Sequence, residues 1–582
     1  MSKRIGQSTV PTHNTIRITS HMVWREEFGL DNSRFGRIIP KAFHRSSATS
    51  SRAIMNFLFR SRLPLLAFLL LGFRSVCPGQ VFNIMDFGAR NDGSARSTDA
   101  IQSAINAAKA AGGGTVYIPS GKYISGPFEL VSNMVLHLEA GATLQFPAER
   151  LPFTKGRHQG IECLTPVPLI GAHNLENVSI TGSGIITTNN AEWMKIMGRS
   201  SESAAGPNWA HLLESLERKT PATEEEYLKA APELRPPLIQ VMNCKNVLIE
   251  GIHIVGSAMW PIHLLYSENA VVDHVLVETY PGVHTGGIYI DSSHDVRISD
   301  CYIDVGDDGI VLKAGKDADG LRVNRPTENV SITNCTVHRA HGAVVLGSET
   351  AGGIRNIVVS NITCDSTQIG IRIKSRRGRG GIIEDIRFSN WTMEHVGQAI
   401  SVTNYYRMEG EKRTSEEPVS VRTPIFRNIA INEITINHAR VAANIEGLPE
   451  MPIEGLRIND VIANSNIGLK ASNTSDLELR NIKVDAANGP TFLIRNSTDL
   501  DLDNCFTRKP LVDSPVIRLD SCPAAVVRNC RAWTGTGTFL SVAPGMLKDV
   551  TLVGNVLGTA RTQTIEEDEQ FWKTIEPATE EH

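Results

Sequence analysis

One phrase keeps returning along this chain, and it restricts the fold more than any other feature. "NVLIEGIHI" begins at residue 246, "AVVDHVLVE" at 270, "DVRISDCYI" at 295 and "NVSITNCTV" at 329. "NIVVSNITC" follows at 356, "DIRFSNWTM" at 385, "NIAINEITI" at 428 and "GLRINDVIA" at 455. "DLELRNIKV" at 476, "DLDLDNCFT" at 499, "AVVRNCRAW" at 525 and "DVTLVGNVL" at 549 complete the series. Most starts lie roughly 21 to 34 residues apart, with a wider gap before 428. Each unit alternates apolar and polar residues, turns a corner at Asn, Asp or Gly, and begins a second short strand. No unit can bury its apolar face alone, so the units must stack into one continuous core. A period near two inside each unit excludes helical solenoids. The expected fold is therefore all-β, a parallel β-helix.

The start of the solenoid is built differently. In "RSTDAIQSAINAAKAAGGG", Ser97 or Thr98 can cap a helix over 99–111 that Gly112 to Gly114 end. Such a helix would cover the open N-terminal end, where apolar surface and strand edges are otherwise bare. Residues 189–235 interrupt the coils with a polar, partly helical insertion. The solenoid domain is expected over 80–562, with site-bearing coils at about 240–410, extra coils over 425–560 and an acidic tail over 563–582. Ahead of it, 55–79 reads as a signal peptide opening at Met55, with Arg60 and Arg62 before an apolar run too short to cross a bilayer. Residues 1–54 show no period and read as an unstructured extension, with the start set too early at Met1. The mature chain is expected to be secreted or periplasmic.

Composition excludes other classes. Charged residues make up 21% and hydrophobic residues 41%, a globular balance. A net charge of −4 argues against wholesale nucleic-acid binding. Several of the nine cysteines share one local phrase, as in "NCKN" at Cys244, "DCYI" at Cys301 and "NCTV" at Cys335. That fits a stacked buried position better than a disulfide framework or a zinc site.

The chemistry concentrates in "DVGDDGIVLKAG", residues 304–315, where Asp307 and Asp308 stand between Gly306 and Gly309. One coil on is His341, then Arg372 and Lys374 at i, i+2 on one strand face, then Tyr405 and Tyr406. Paired carboxylates suit glycosidic hydrolysis, one as acid and one as base. Arg and Lys on one face suit a carboxylate-bearing substrate, and a Tyr offers a flat surface to a sugar ring. Taken singly, His341 reads as structural and Arg372/Lys374 as a solvated face; their joint appearance in consecutive coils argues for a site. Arg376, Arg377 and Arg379 read as a loop rim.

At these residues the chain resembles glycoside hydrolase family 28, the polygalacturonases and relatives. The resemblance covers about 81–430: the opening phrase from Phe87 to Gly126, then Gly306-Asp307-Asp308, Ala340-His341-Gly342 and Arg372-Ile373-Lys374. It implies a right-handed, pectin-lyase-like β-helix and inverting hydrolysis of α-1,4-linked galacturonate polymers, without metal or other cofactor. Asp307 would be the general acid and Asp308 would activate water, with His341 assisting. Arg372, Lys374, Tyr405, Tyr406 and His284 would hold the substrate. Mutual repulsion of the two carboxylates would keep the acid protonated. A monomer acting on an anionic polysaccharide is expected, with exo action if the insertion closes the groove.

The chain departs from the family at one point. The family's Asn-Thr-Asp phrase supplies a second base carboxylate, but here it is His284-Thr285-Gly286. Activity is therefore expected to be weaker or altered, and Gly286→Asp would be expected to restore it. Alternatives are a hydrolase of a related uronate polymer such as rhamnogalacturonan, a calcium-dependent lyase, and a degenerate carbohydrate-binding β-helix.

Overall fold

A computed structural model describes residues 79–198, 206–217, 223–406 and 416–567. The expected extension, the signal peptide up to residue 78 and the tail beyond 567 lie outside these residues. The repeats wind into one continuous sheet of parallel pairings, in which each strand bonds to its counterpart one coil earlier and one coil later. Along one face the register runs Val247, Ala270, Val296, Val330, Ile357 and Ile386 in adjacent coils. These residues point into the bore and belong to a single apolar core that runs the length of the solenoid. The fold is a right-handed parallel β-helix, the hand favoured for parallel crossovers.

The corners explain the recurring Asn. Asn177, Asn246 and Asn269 sit at left-handed φ values of 56°, 57° and 50°, which Asn tolerates better than other side chains. Their amides form a ladder across coils: Asn246 donates to Asn177 at 2.8 Å and Asn269 to Asn246 at 2.7 Å. The cysteines of the repeated phrase, Cys244, Cys301, Cys335, Cys505 and Cys530, are buried thiols.

The N-terminal helix spans Thr98–Ala110 and turns Ala100, Ile101, Ala104, Ile105 and Ala108 into the first coils. Ser97 is its N-cap, though its side chain makes no capping bond. The insertion forms helices Asn190–Ile196, Pro207–Glu217 and Glu224–Ala230, the last opened by a reciprocal Thr223/Glu226 cap. An antiparallel hairpin, Phe153–His158 with Ile161–Pro166, was not anticipated. It shares a small core with the insertion, made of Ile161, Trp209, Leu212, Ala230 and Leu234. At the far end the strand Thr562–Glu566 pairs with Thr538–Val542, so the coils pass the expected boundary at 562.

One run of strands is covered on both faces. Ile262–Leu265, Ile288–Asp291, Ile310–Lys313 and Val344–Gly347 are buried at every position. Outward-facing Tyr289, Val311 and Val345 pack with Met259 and Trp260 into a separate cluster. The site opens beside this covered face.

Candidate active site

Three consecutive bends bring the central residues together. His284 precedes the strand Ile288–Asp291, Asp307 and Asp308 precede Ile310–Lys313, and His341 precedes Val344–Gly347. Backbone bonds hold the bends in step: Gly287 N donates to Asp308 O at 3.1 Å, and His341 N to Asp307 O at 3.0 Å. Gly342 permits a close approach, since a Cβ there would come within 3.2 Å of Asp308 Oδ1 and 2.5 Å of Val345.

The two aspartates point to different partners. Asp307 lies between histidines, with His284 Nδ1 3.4 Å from Oδ2 and His341 Nδ1 3.4 Å from Oδ1. Its Oδ1 also accepts the Asp308 backbone N–H at 2.7 Å. Asp308 is buried and takes a 2.7 Å hydrogen bond from Lys374 Nζ, with Arg372 Nη1 3.6 Å from its other oxygen. Tyr406 lies over both cations, its ring centroid 5.4 Å from Arg372 Cζ and 4.9 Å from Lys374 Nζ.

Several expectations are corrected by this geometry. Burial pushes the Asp307 carboxyl up, but hydrogen bonds and charge from His284 and His341 outweigh it and hold the group well below the usual carboxylate range. Repulsion between the neighbours therefore does not keep Asp307 protonated, because each aspartate has cationic or hydrogen-bonding partners of its own. The Asp307 bond raises the pKa of His341 against burial. Arg372 and Lys374 do share a face, yet their first partner is Asp308. Tyr405 turns away, buried against Leu448 and Met451. Arg377 and Arg379 are not a solvated rim: half-buried Arg377 pairs with half-buried Glu450 at 2.7 Å, and buried Arg379 with buried Asp317 at 3.0 Å.

The sequence reading missed a second group of charges beside the site. Lys313 pairs with Glu349, both buried. Burial pushes Glu349 up, but Lys313 and Arg379 hold it at about 2. Arg157, from the hairpin, reaches Asp291 at 2.9 Å and Ser292 at 2.8 Å. Tyr289 stacks on Trp260 with centroids 4.2 Å apart, and Trp260 stacks in turn on His158 of the hairpin. The alternation in "GGIYIDSS", which puts Tyr289 and Asp291 on one face, is the signal that could have found them.

Carboxylates, imidazoles and cations thus cluster at consecutive bends of a parallel β-helix. Comparison with known proteins narrows the class. The profile of Glycosyl hydrolases family 28 matches residues 222–487, and that of Rhamnogalacturonase A/epimerase, pectate lyase-like, matches 81–141. The crystal structure of a hyperthermoactive exopolygalacturonase from Thermotoga maritima is 30% identical, with a TM-score of 0.62, covering 70% of this chain and 93% of that one. A probable polygalacturonase from Vitis vinifera is 28% identical over 66% of this chain and 74% of the relative. An exo-poly-alpha-D-galacturonosidase from Dickeya chrysanthemi is 26% identical over 71% of each. The chain belongs to glycosyl hydrolase family 28 and is a glycoside hydrolase.

Proposed function

We propose that the chain hydrolyses α-1,4 linkages of polygalacturonate with inversion, working from a chain end. The observation that carries this reading is the opposite partnering of Asp307 and Asp308. Asp308, which accepts a hydrogen bond from Lys374 and lies beside Arg372, takes a proton from water as the water oxygen bonds to the anomeric carbon. The glycosidic C–O bond breaks, and the leaving oxygen takes a proton from the His341 imidazolium, which the Asp307 carboxylate stabilises. Arg372, flanked by Tyr406, has guanidinium donors left for a uronate carboxylate. Related enzymes named polygalacturonase and exopolygalacturonase support the substrate.

Action from a chain end is supported by the cover over the outward face. His158 of the hairpin stacks on Trp260 and meets Trp209 of the insertion edge-on, so aromatic side chains from both segments cover the strands beside the site. With glycine at 286 in place of a carboxylate, turnover is slow for an enzyme of this class. The altered residues at 284 and 286 favour a second reading, hydrolysis of a related uronate polymer.

The test is incubation of the full chain with polygalacturonate, following product size and anomeric form. Short uronates from the outset, released as the β-anomer, support the proposal. Products absorbing in the ultraviolet would indicate a lyase, and binding without turnover a carbohydrate-binding module.

A further inference from the structure

The position of the absent carboxylate is occupied. A Cβ built on Gly286 would lie 2.2 Å from Tyr289 Oη, 2.9 Å from Tyr289 Cε2 and 2.4 Å from the Asp308 carbonyl oxygen. The phenol oxygen therefore reaches the spot from which a residue-286 side chain would start. The ring cannot swing away freely. It is buried, stacked on Trp260 at an interplanar angle of 11°, with Lys313 Nζ 5.9 Å from its centroid. The backbone is equally fixed, because Gly287 N bonds to that same Asp308 carbonyl.

We propose that Gly286 and Tyr289 are a paired replacement: the Tyr289 hydroxyl fills the site of the second carboxylate and holds the attacking water, leaving Asp308 as the sole base. This rests on the hydrolytic reading above. Burial, followed by the charges of Asp307, Asp308 and Glu349, pushes the phenol well above its ordinary value. The hydroxyl thus stays neutral at working pH, able to orient water by hydrogen bonding but not to take its proton. The pairing predicts the opposite of the expectation that Gly286→Asp restores activity. A new side chain there would strike the phenol and the Asp308 carbonyl, displacing the bend that carries both aspartates.

Two measurements test the pairing. Tyr289→Phe keeps the stacked ring and removes only the oxygen. Its kcat on polygalacturonate should fall about tenfold, the cost of one oriented hydrogen bond in the transition state, with KM within about twofold. An unchanged kcat, or a loss confined to KM, overturns the role. Independently of turnover, the drop in Tm caused by Gly286→Ala should be smaller in the Tyr289→Phe background, where the shortest of the three close contacts is gone. Equal drops in both backgrounds overturn the pairing, as would a rise in turnover for Gly286→Asp. If the unaltered chain releases nothing from polygalacturonate, the substrate proposal fails while the Tm comparison still decides the pairing.

Discussion

Lys374 Nζ lies 2.7 Å from Asp308 Oδ2, inside a region where both side chains are almost fully buried. This contact links two coils on the same face and gives one aspartate a cationic partner. Removing the ammonium leaves a buried negative charge whose remaining cation is 3.6 Å away. Lys374→Ala should lower kcat/KM on the order of 100-fold, measured by reducing-end release. Lys374→Arg should recover part of the loss, because charge is restored without the same geometry.

The Asp307–His341 pair sets a pH window for stability. Asp307 is depressed on folding, so its contribution is present above the unfolded carboxylate value and is lost as pH falls through the folded one. His341 is raised, so its contribution is complete below the unfolded imidazole value and is lost as pH rises through the folded one. The pair therefore stabilises most between about pH 4 and 6.5. His341→Ala should lower Tm most in that window, as thermal melts across pH would reveal.

Asp307→Asn should abolish measurable turnover, a loss on the order of 100-fold or more, by removing the carboxylate that both imidazoles address. His284→Ala should cost less, since His341 still faces Asp307. A rate within about twofold of the unaltered enzyme for Asp307→Asn would refute its place in the acid chemistry.

The buried Lys313–Glu349 pair makes no claim on the reacting atoms but supports the strand behind them. Glu349→Ala leaves Lys313 buried beside Arg379 and Lys316 with its nearest counter-charge gone. A loss of about 3–5 kcal/mol is expected from denaturant melts.

At the corners, Asn246→Ala removes an amide that joins Asn177 to Asn269 and places a less tolerant residue at φ 57°. The expected cost is about 1–2 kcal/mol by denaturant titration. Asn246→Gly, which tolerates that φ, should cost less.

How far the sequence could be read depended on whether information lay within one coil or between coils. The β-helix was legible because alternation and corner Asn repeat in every unit. Asp307, Asp308, His341, Arg372 and Lys374 were legible as a group because solenoid stacking brings consecutive coils into one row. Their pairing was not, because Lys374 lies 66 residues from Asp308 and spacing does not reveal which oxygen it meets. Tyr405 and Tyr406 are adjacent, so they diverge, and only the contacts with Leu448 and with Arg372 tell them apart. The hairpin over 153–166 carries no repeat signature, since its strands pair only with each other.

The Arg157–Asp291 contact changes how this molecule should come apart. A solenoid otherwise behaves as a row of dominoes, each coil answering to its neighbours. A buried bridge across 134 residues fastens the early coils to the middle ones. The stretch from the hairpin to the site should melt as one block, while the last coils peel away one at a time.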